Sequence, residues 1–205
     1  MKQRRRSIPA QRASLLCIAS ALLLFGCSLP KIIVLHDPLT AEEHDNLGRI
    51  YESQGKFDLA GEQYREALKL DKKRLPSLLL LGDLSYRTRD YPEAESAYGK
   101  AIKLDAKNGD ARNNLAWVYI TTGKDLDKAK DLITEALTLN AAHRPYYLDT
   151  LGVVLLKLGN AAGAITALEE SVNTLPKDRE DLLAEAQGHL AEAYKAAGEE
   201  VRSKK

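Results

Sequence analysis

Six residues could ligate a metal or attack a substrate through sulfur or imidazole: Cys17, Cys27, His36, His44, His143 and His189. Their spacing argues against most of that chemistry. Only "HDPLTAEEHD", residues 36–45, brings two histidines near carboxylates. There Thr40, followed three residues later by Glu43, reads as a capping box opening a helix, so a solvated helix start is expected rather than a metal site. No glycine-rich phosphate loop and no nucleophile–base pairing can be named, so no catalytic residue, no metal and no cofactor is expected. The chain reads as a non-enzyme.

The two cysteines sit within and just after the one long apolar run. Residues 1–12 are basic, residues 13–25 ("ASLLCIASALLLF") are apolar, and small or turn-forming residues follow from Gly26 to Pro30. That is the three-part layout of a secretory signal. Its apolar core has 13 residues, short of the roughly 20 that a bilayer-spanning helix needs. Leu24, Phe25 and Gly26 lead into Cys27, and this run resembles the bacterial lipobox, with Phe25 bulkier than the usual occupant. Cys17 follows Leu16, too large for the site before a lipobox cysteine. The resemblance implies cleavage after residue 26, a diacylglyceryl thioether on Cys27 and acylation of the new amino terminus. The covalent lipid on Cys27 is then the one attached group. Ser28, rather than Asp, follows the cysteine, which implies a bacterial cell-envelope protein anchored at the outer membrane and facing the periplasm.

The whole chain carries 30 basic and 29 acidic residues. Five of the basic ones (Lys2, Arg4, Arg5, Arg6 and Arg12) lie in residues 1–26, which hold no acid; the remainder is left at 25 against 29, a net charge of −4. A remainder of that sign lacks the basic footprint of a nucleic-acid binder. It also keeps only Cys27, so no disulfide is available and stability must come from packing.

The elements that do that packing repeat. "NLGRIYESQGKFDLAGEQYREALKL" (46–70), "LLGDLSYRTRDYPEAESAYGKAIKL" (80–104), "NLAWVYITTGKDLDKAKDLITEALTL" (114–139) and "TLGVVLLKLGNAAGAITALEESVNTL" (150–175) align. Gly48, Gly82, Ala116 and Gly152 share one register, spaced 34, 34 and 36 residues apart. Ala60, Ala94, Ala129 and Ala164 share a second; Ala67, Ala101, Ala136 and Ser171 share a third. Apolar residues recur every three or four positions, which predicts two amphipathic helices per unit, and small residues mark where helix axes come close. Gly55, Gly123, Gly159 and Gly198 stand where a left-handed C-cap is needed.

These registers resemble the tetratricopeptide (TPR) repeat over about residues 41–197, which implies an all-α, right-handed superhelix. The expected organisation is a cleaved signal (1–26), a tether (27–40) and four repeats (41–74, 75–108, 109–144 and 145–178). A half-repeat serving as a capping helix (179–198) and a polar tail (199–205) complete it. The third repeat carries an extra residue in "GKDLDKA". In the tether, Ile32, Ile33, Val34 and Leu35 either pack on the first repeat or form a strip for a partner or membrane surface.

The resemblance further implies that the first helices of the repeats line a concave groove. Carried over by register, the first repeat offers Glu42, Asp45, Arg49, Glu52 and Ser53. The second offers Leu79, Asp83, Tyr86 and Arg87; the third Asp110, Asn113, Trp117, Ile120 and Thr121; the fourth Tyr146, Asp149, Val153, Leu156 and Lys157. The candidate site within these is Arg49, Leu79, Asp83, Tyr86, Arg87, Asn113, Trp117, Ile120, Tyr146, Asp149, Val153 and Leu156. Its entrance is charged and its middle aromatic. The opposing reading packs Ile120, Val153 and Leu156 between helices. The lysines with which some family members clamp a C-terminal carboxylate do not flank Asn113. The expected function is an envelope adaptor or scaffold for a protein or peptide partner, attached to the membrane through its lipid. A pilotin-like assembly factor for a pilus or secretion secretin, and a homo-oligomeric structural lipoprotein, stay open beside it; in the last, the half-repeat pairs two copies of the chain.

Overall fold

A computed structural model describes residues 38–198. Cys27, the apolar tether run and the polar tail lie outside the described residues. Among the described residues there are nine α-helices and no strand: α1 (Ala41–Ser53), α2 (Phe57–Leu70), α3 (Leu75–Arg87), α4 (Tyr91–Leu104), α5 (Gly109–Thr122), α6 (Leu126–Leu139), α7 (Arg144–Lys157), α8 (Ala161–Thr174) and α9 (Glu180–Ala196). Each odd-numbered helix up to α7 pairs with the next as a hairpin, and consecutive odd-numbered helices also touch. The chain is therefore an α-solenoid whose inner layer is α1, α3, α5, α7 and α9.

The small-residue register has a steric cause. A Cβ on Gly48 would lie 2.3 Å from the Tyr64 ring, one on Gly82 2.5 Å from the Tyr98 ring, and one on Gly152 2.3 Å from Leu168. No real Cβ sits that close, so each hairpin closes only because its first helix offers bare backbone to a large side chain of the second. The third unit holds Ala116 at this position, facing a second helix that carries Ile133 in place of a tyrosine; both are fully buried in one cluster with Tyr98, Val118, Tyr147 and Val154. No unit could bury these faces alone, and stacking supplies the continuous core.

Caps and turns follow local chemistry. Thr40 Oγ1 accepts from the Glu43 N–H at 3.2 Å, and a Glu43 carboxylate oxygen accepts from the Thr40 N–H at 2.8 Å, which closes the expected capping box. Asp90, Asn108 and Asn160 cap α4, α5 and α8 with a side-chain oxygen that accepts from the third helical N–H, without the reciprocal bond. Gly55, Gly123 and Gly159 adopt φ between 67° and 77° in the turns of the first, third and fourth units. The second unit puts Arg89 there, at φ 65°; nothing in the structure explains an arginine at that turn. The extra residue of the third unit is absorbed by a second left-handed residue, Asp125, at φ 50°.

Candidate functional site

Along the inner layer, neighbouring helices are stitched by side chains from the predicted groove positions. Asp45 Oδ1 accepts from the Ser77 hydroxyl and its Oδ2 from Arg74 Nε, both at 2.7 Å. Arg87 donates to Glu52 at 2.8 Å and stacks over the Phe57 ring at 4.9 Å. Asp83 Oδ1 accepts from Asn114 at 3.1 Å and from the Tyr98 hydroxyl at 2.7 Å. Tyr86 bonds Thr121 at 2.8 Å and meets the Tyr91 ring edge-on. Further along, Asn113 accepts from Thr150 at 2.8 Å, Asp110 accepts from the Tyr147 hydroxyl at 2.6 Å, and Asp149 pairs with His189 at 2.9 Å.

Several expectations need correcting. Ile120 is 2% exposed and Val153 8% exposed, both inside the main core cluster. Leu156 packs against the cluster of Ala164, Leu168 and Ala193, so these three residues hold helices together. Leu79 is half-buried between two clusters. Nor is the start of α1 a solvated cap throughout: His44 (1% exposed) and Asp45 (3%) are buried, with His44 Nδ1 2.8 Å from Gln63. Arg49 remains exposed. No cluster of three or more possible metal-ligating side chains exists among the described residues.

What the inner layer does bring together is a pocket of about 160 Å³ lined by Asn113, Trp117, Tyr146, Asp149, Thr150, Leu175, Leu182 and Glu185. Four of these were among the sequence candidates. Two others, Leu182 and Glu185, come from α9, which packs on α7 and forms one wall. Its His189 ring lies 6.3 Å from that of Trp117. Glu185 was legible in principle: α9 places Ala191 in the register of Gly152, and Glu185 then stands where Tyr146 does.

The electrostatics differ from point to point. The hydrogen bond to Asp149 raises the His189 pKa above its ordinary value, partly opposed by burial. Asp83 keeps an edge in water, yet the surrounding helices strip enough solvent from its carboxyl to raise its pKa against the opposing pull of Tyr98 and Asn114. Burial, reinforced by neighbouring carboxylates, pushes the Tyr64, Tyr98 and Tyr147 hydroxyls well above a free phenol. These tyrosines are proton-retaining donors suited to holding carboxylates in place.

Comparison with known proteins agrees with this architecture. A family model described as "Tetratricopeptide repeat" matches residues 41–74, and a second model of the same description matches 87–148. A tetratricopeptide repeat-containing protein of Caenorhabditis elegans, trd-1, is 26% identical over 151 residues, covering 74% of this chain and 19% of that protein. The chain thus spans less than a fifth of the curated relatives it matches. Among solved structures, MamA superposes with a TM-score of 0.65 at 23% identity, covering 77% of this chain and 82% of the other. YrrB, described as a TPR protein with an unusual peptide-binding site, superposes with a TM-score of 0.61 at 19% identity, covering 78% and 79%. These similarities concern the fold.

Proposed function

We propose that this chain, built of tetratricopeptide repeats, is a non-catalytic adaptor that holds a protein or peptide partner against its inner helical layer. The observation that carries the reading is the pocket at Trp117 and Tyr146, where two large aromatics stand half-buried beside polar groups. Aromatic anchors in partly desolvated pockets supply most of the energy of protein recognition. Repeats of this kind generally serve as scaffolds, and YrrB, of similar fold, is described as having a peptide-binding site.

The proposal extends to an address. Cys27, preceded by Leu24, Phe25 and Gly26, is the lipid attachment point, and the protein works on the periplasmic side of the outer membrane. Each buried CH₂ of an acyl chain contributes roughly 0.8 kcal/mol, so several chains anchor it firmly. Two experiments test these parts separately. Radiolabelled palmitate should enter the wild-type chain and not Cys27→Ala; incorporation that survives the substitution refutes the anchor. Cross-linked partners recovered with wild type should be lost with the Trp117→Ala, Tyr86→Ala double variant, its helicity checked by circular dichroism. Undiminished recovery moves the site off the inner layer.

A further inference from the structure

The Trp117 pocket has a charge preference, which the groove reading leaves unspecified and on which the following rests. Its two aromatic rings are accompanied by two carboxylates. Asp149 commits one oxygen to His189 at 2.9 Å, and its other has no hydrogen bond among the described residues. Glu185 contributes charge to the pocket rim without any hydrogen bond or ion pair among the described residues, and its carboxylate acts electrostatically on His189. Against these two negative groups stands the single imidazole of His189. Arg179, whose charge reaches Tyr146, is engaged in a two-pronged pair with Asp181 at 3.2 Å.

Indole and phenol faces attract cations through their ring quadrupoles, most strongly where water is displaced. Carboxylates with unused lone pairs beside such faces add charge-assisted acceptors. An anionic group entering the same space would meet Asp149 and Glu185 head-on. Size narrows the occupant: about 160 Å³ falls below the roughly 300–1,000 Å³ typical of small-molecule sites, so it suits one long side chain rather than a whole ligand. We infer that the pocket bounded by Trp117, Tyr146, Asp149 and Glu185 receives a lysine or arginine side chain of the partner. The rings flank its methylenes and cationic head, and the two carboxylates accept hydrogen bonds from its N–H groups. The partner segment is therefore basic at its anchor.

The probe is a random 12-residue peptide library panned on the full chain in detergent, followed by synthetic versions of one selected peptide carrying Lys, norleucine or Glu at the shared anchor. Trp117, the only tryptophan, reports occupancy by its fluorescence. The expected result is selection of Lys or Arg at one fixed position. The norleucine version should bind about 10-fold more weakly, as desolvated cation–π contacts predict. Glu185→Gln should weaken the Lys peptide roughly 3- to 5-fold, and Glu185→Lys should abolish the Lys-over-norleucine preference. Since Glu185 is exposed and bonds to nothing among the described residues, neither substitution threatens the fold. Anchors that prove apolar or acidic while still shifting Trp117 fluorescence overturn the inference alone, as does a lysine preference that persists in Glu185→Lys. A library that yields no binder, or binders indifferent to Trp117, overturns the groove reading as well.

Discussion

The two halves of the inner layer start from the same repeat and end with different uses. In units one and two three inner carboxylates are occupied: Asp45 by Arg74 and Ser77, Glu52 by Arg87 and the Tyr64 hydroxyl, Asp83 by Tyr98 and Asn114. From α5 onward the inner layer presents the rings of Trp117 and Tyr146, the remaining oxygen of Asp149, and Glu185, unpaired among the described residues, around a pocket. For Glu52 and Asp83 the cause lies one layer out. Where the second helix packs a tyrosine on the bare glycine of the first (Tyr64 on Gly48, Tyr98 on Gly82), the hydroxyl emerges at the inner layer and needs an acceptor. Glu52 and Asp83 are consumed in meeting it. Ile133 and Leu168 take that place in units three and four and deliver no hydroxyl. The outer-layer ring therefore accounts for the engagement of Glu52 and Asp83, whose register positions in units three and four hold no acid, while Asp149 stands in the register of Asp45.

The largest effect that tests this contrast is removal of the ring. Tyr98→Ala deletes a fully buried aromatic and should cost about 3–5 kcal/mol, read as a lowered urea midpoint. A loss under 1 kcal/mol would mean that the glycine–tyrosine contact does not hold the second hairpin closed. Tyr98→Phe keeps the ring and removes only the hydroxyl. Asp83 then retains Asn114 and its edge in water but loses the Tyr98 donor, a cost of about 0.5–1.5 kcal/mol. If Tyr98→Phe is neutral, the division into consumed and available carboxylates loses its basis.

A smaller effect belongs to the second half. The Asp149 partner raises the pKa of His189 in the folded state above its unfolded value of about 6.5. The stability that this pair contributes is therefore fully present below about pH 6.5 and is lost as pH rises through the higher folded value. Amide protection of α9, measured by hydrogen exchange and corrected for intrinsic rates, should decline across that window. His189→Gln should flatten the decline while leaving α1 to α4 unchanged. Equal declines in both halves would show that α9 is not held by this contact.

How much of this could be read in the sequence follows from which forces are periodic. The helix pairs were legible because close approach requires small residues at one register, and Gly48, Gly82, Ala116 and Gly152 advertise it. Register also gives the angle around a helix, but not what faces it. Ile120 and Val153 occupy inner angles and yet are core, because the neighbouring helices cover them. The pocket was half legible for a related reason. Trp117, Tyr146 and Asp149 lie in the regular array, whereas Glu185 and His189 follow the longer "PKDREDL" connector that breaks the period.

The smallest prediction returns to the first half, where strain rather than chemistry sets it apart. Arg89 holds φ 65° in the turn where the other three units use glycine. A left-handed conformation costs a side-chain-bearing residue about 1–2 kcal/mol. Arg89→Gly relieves it but loosens the unfolded chain, offsetting roughly 0.4–1 kcal/mol. A net gain of about 0.5–1 kcal/mol should remain, visible as a small rise in thermal midpoint. The reciprocal Gly55→Arg places a side chain where no atom lies within 4 Å of its Cβ, so its loss would be conformational alone and of similar size. Should Gly55→Arg lose far more than Arg89→Gly gains, the two turns are not equivalent and the strain at Arg89 is relieved by its own surroundings.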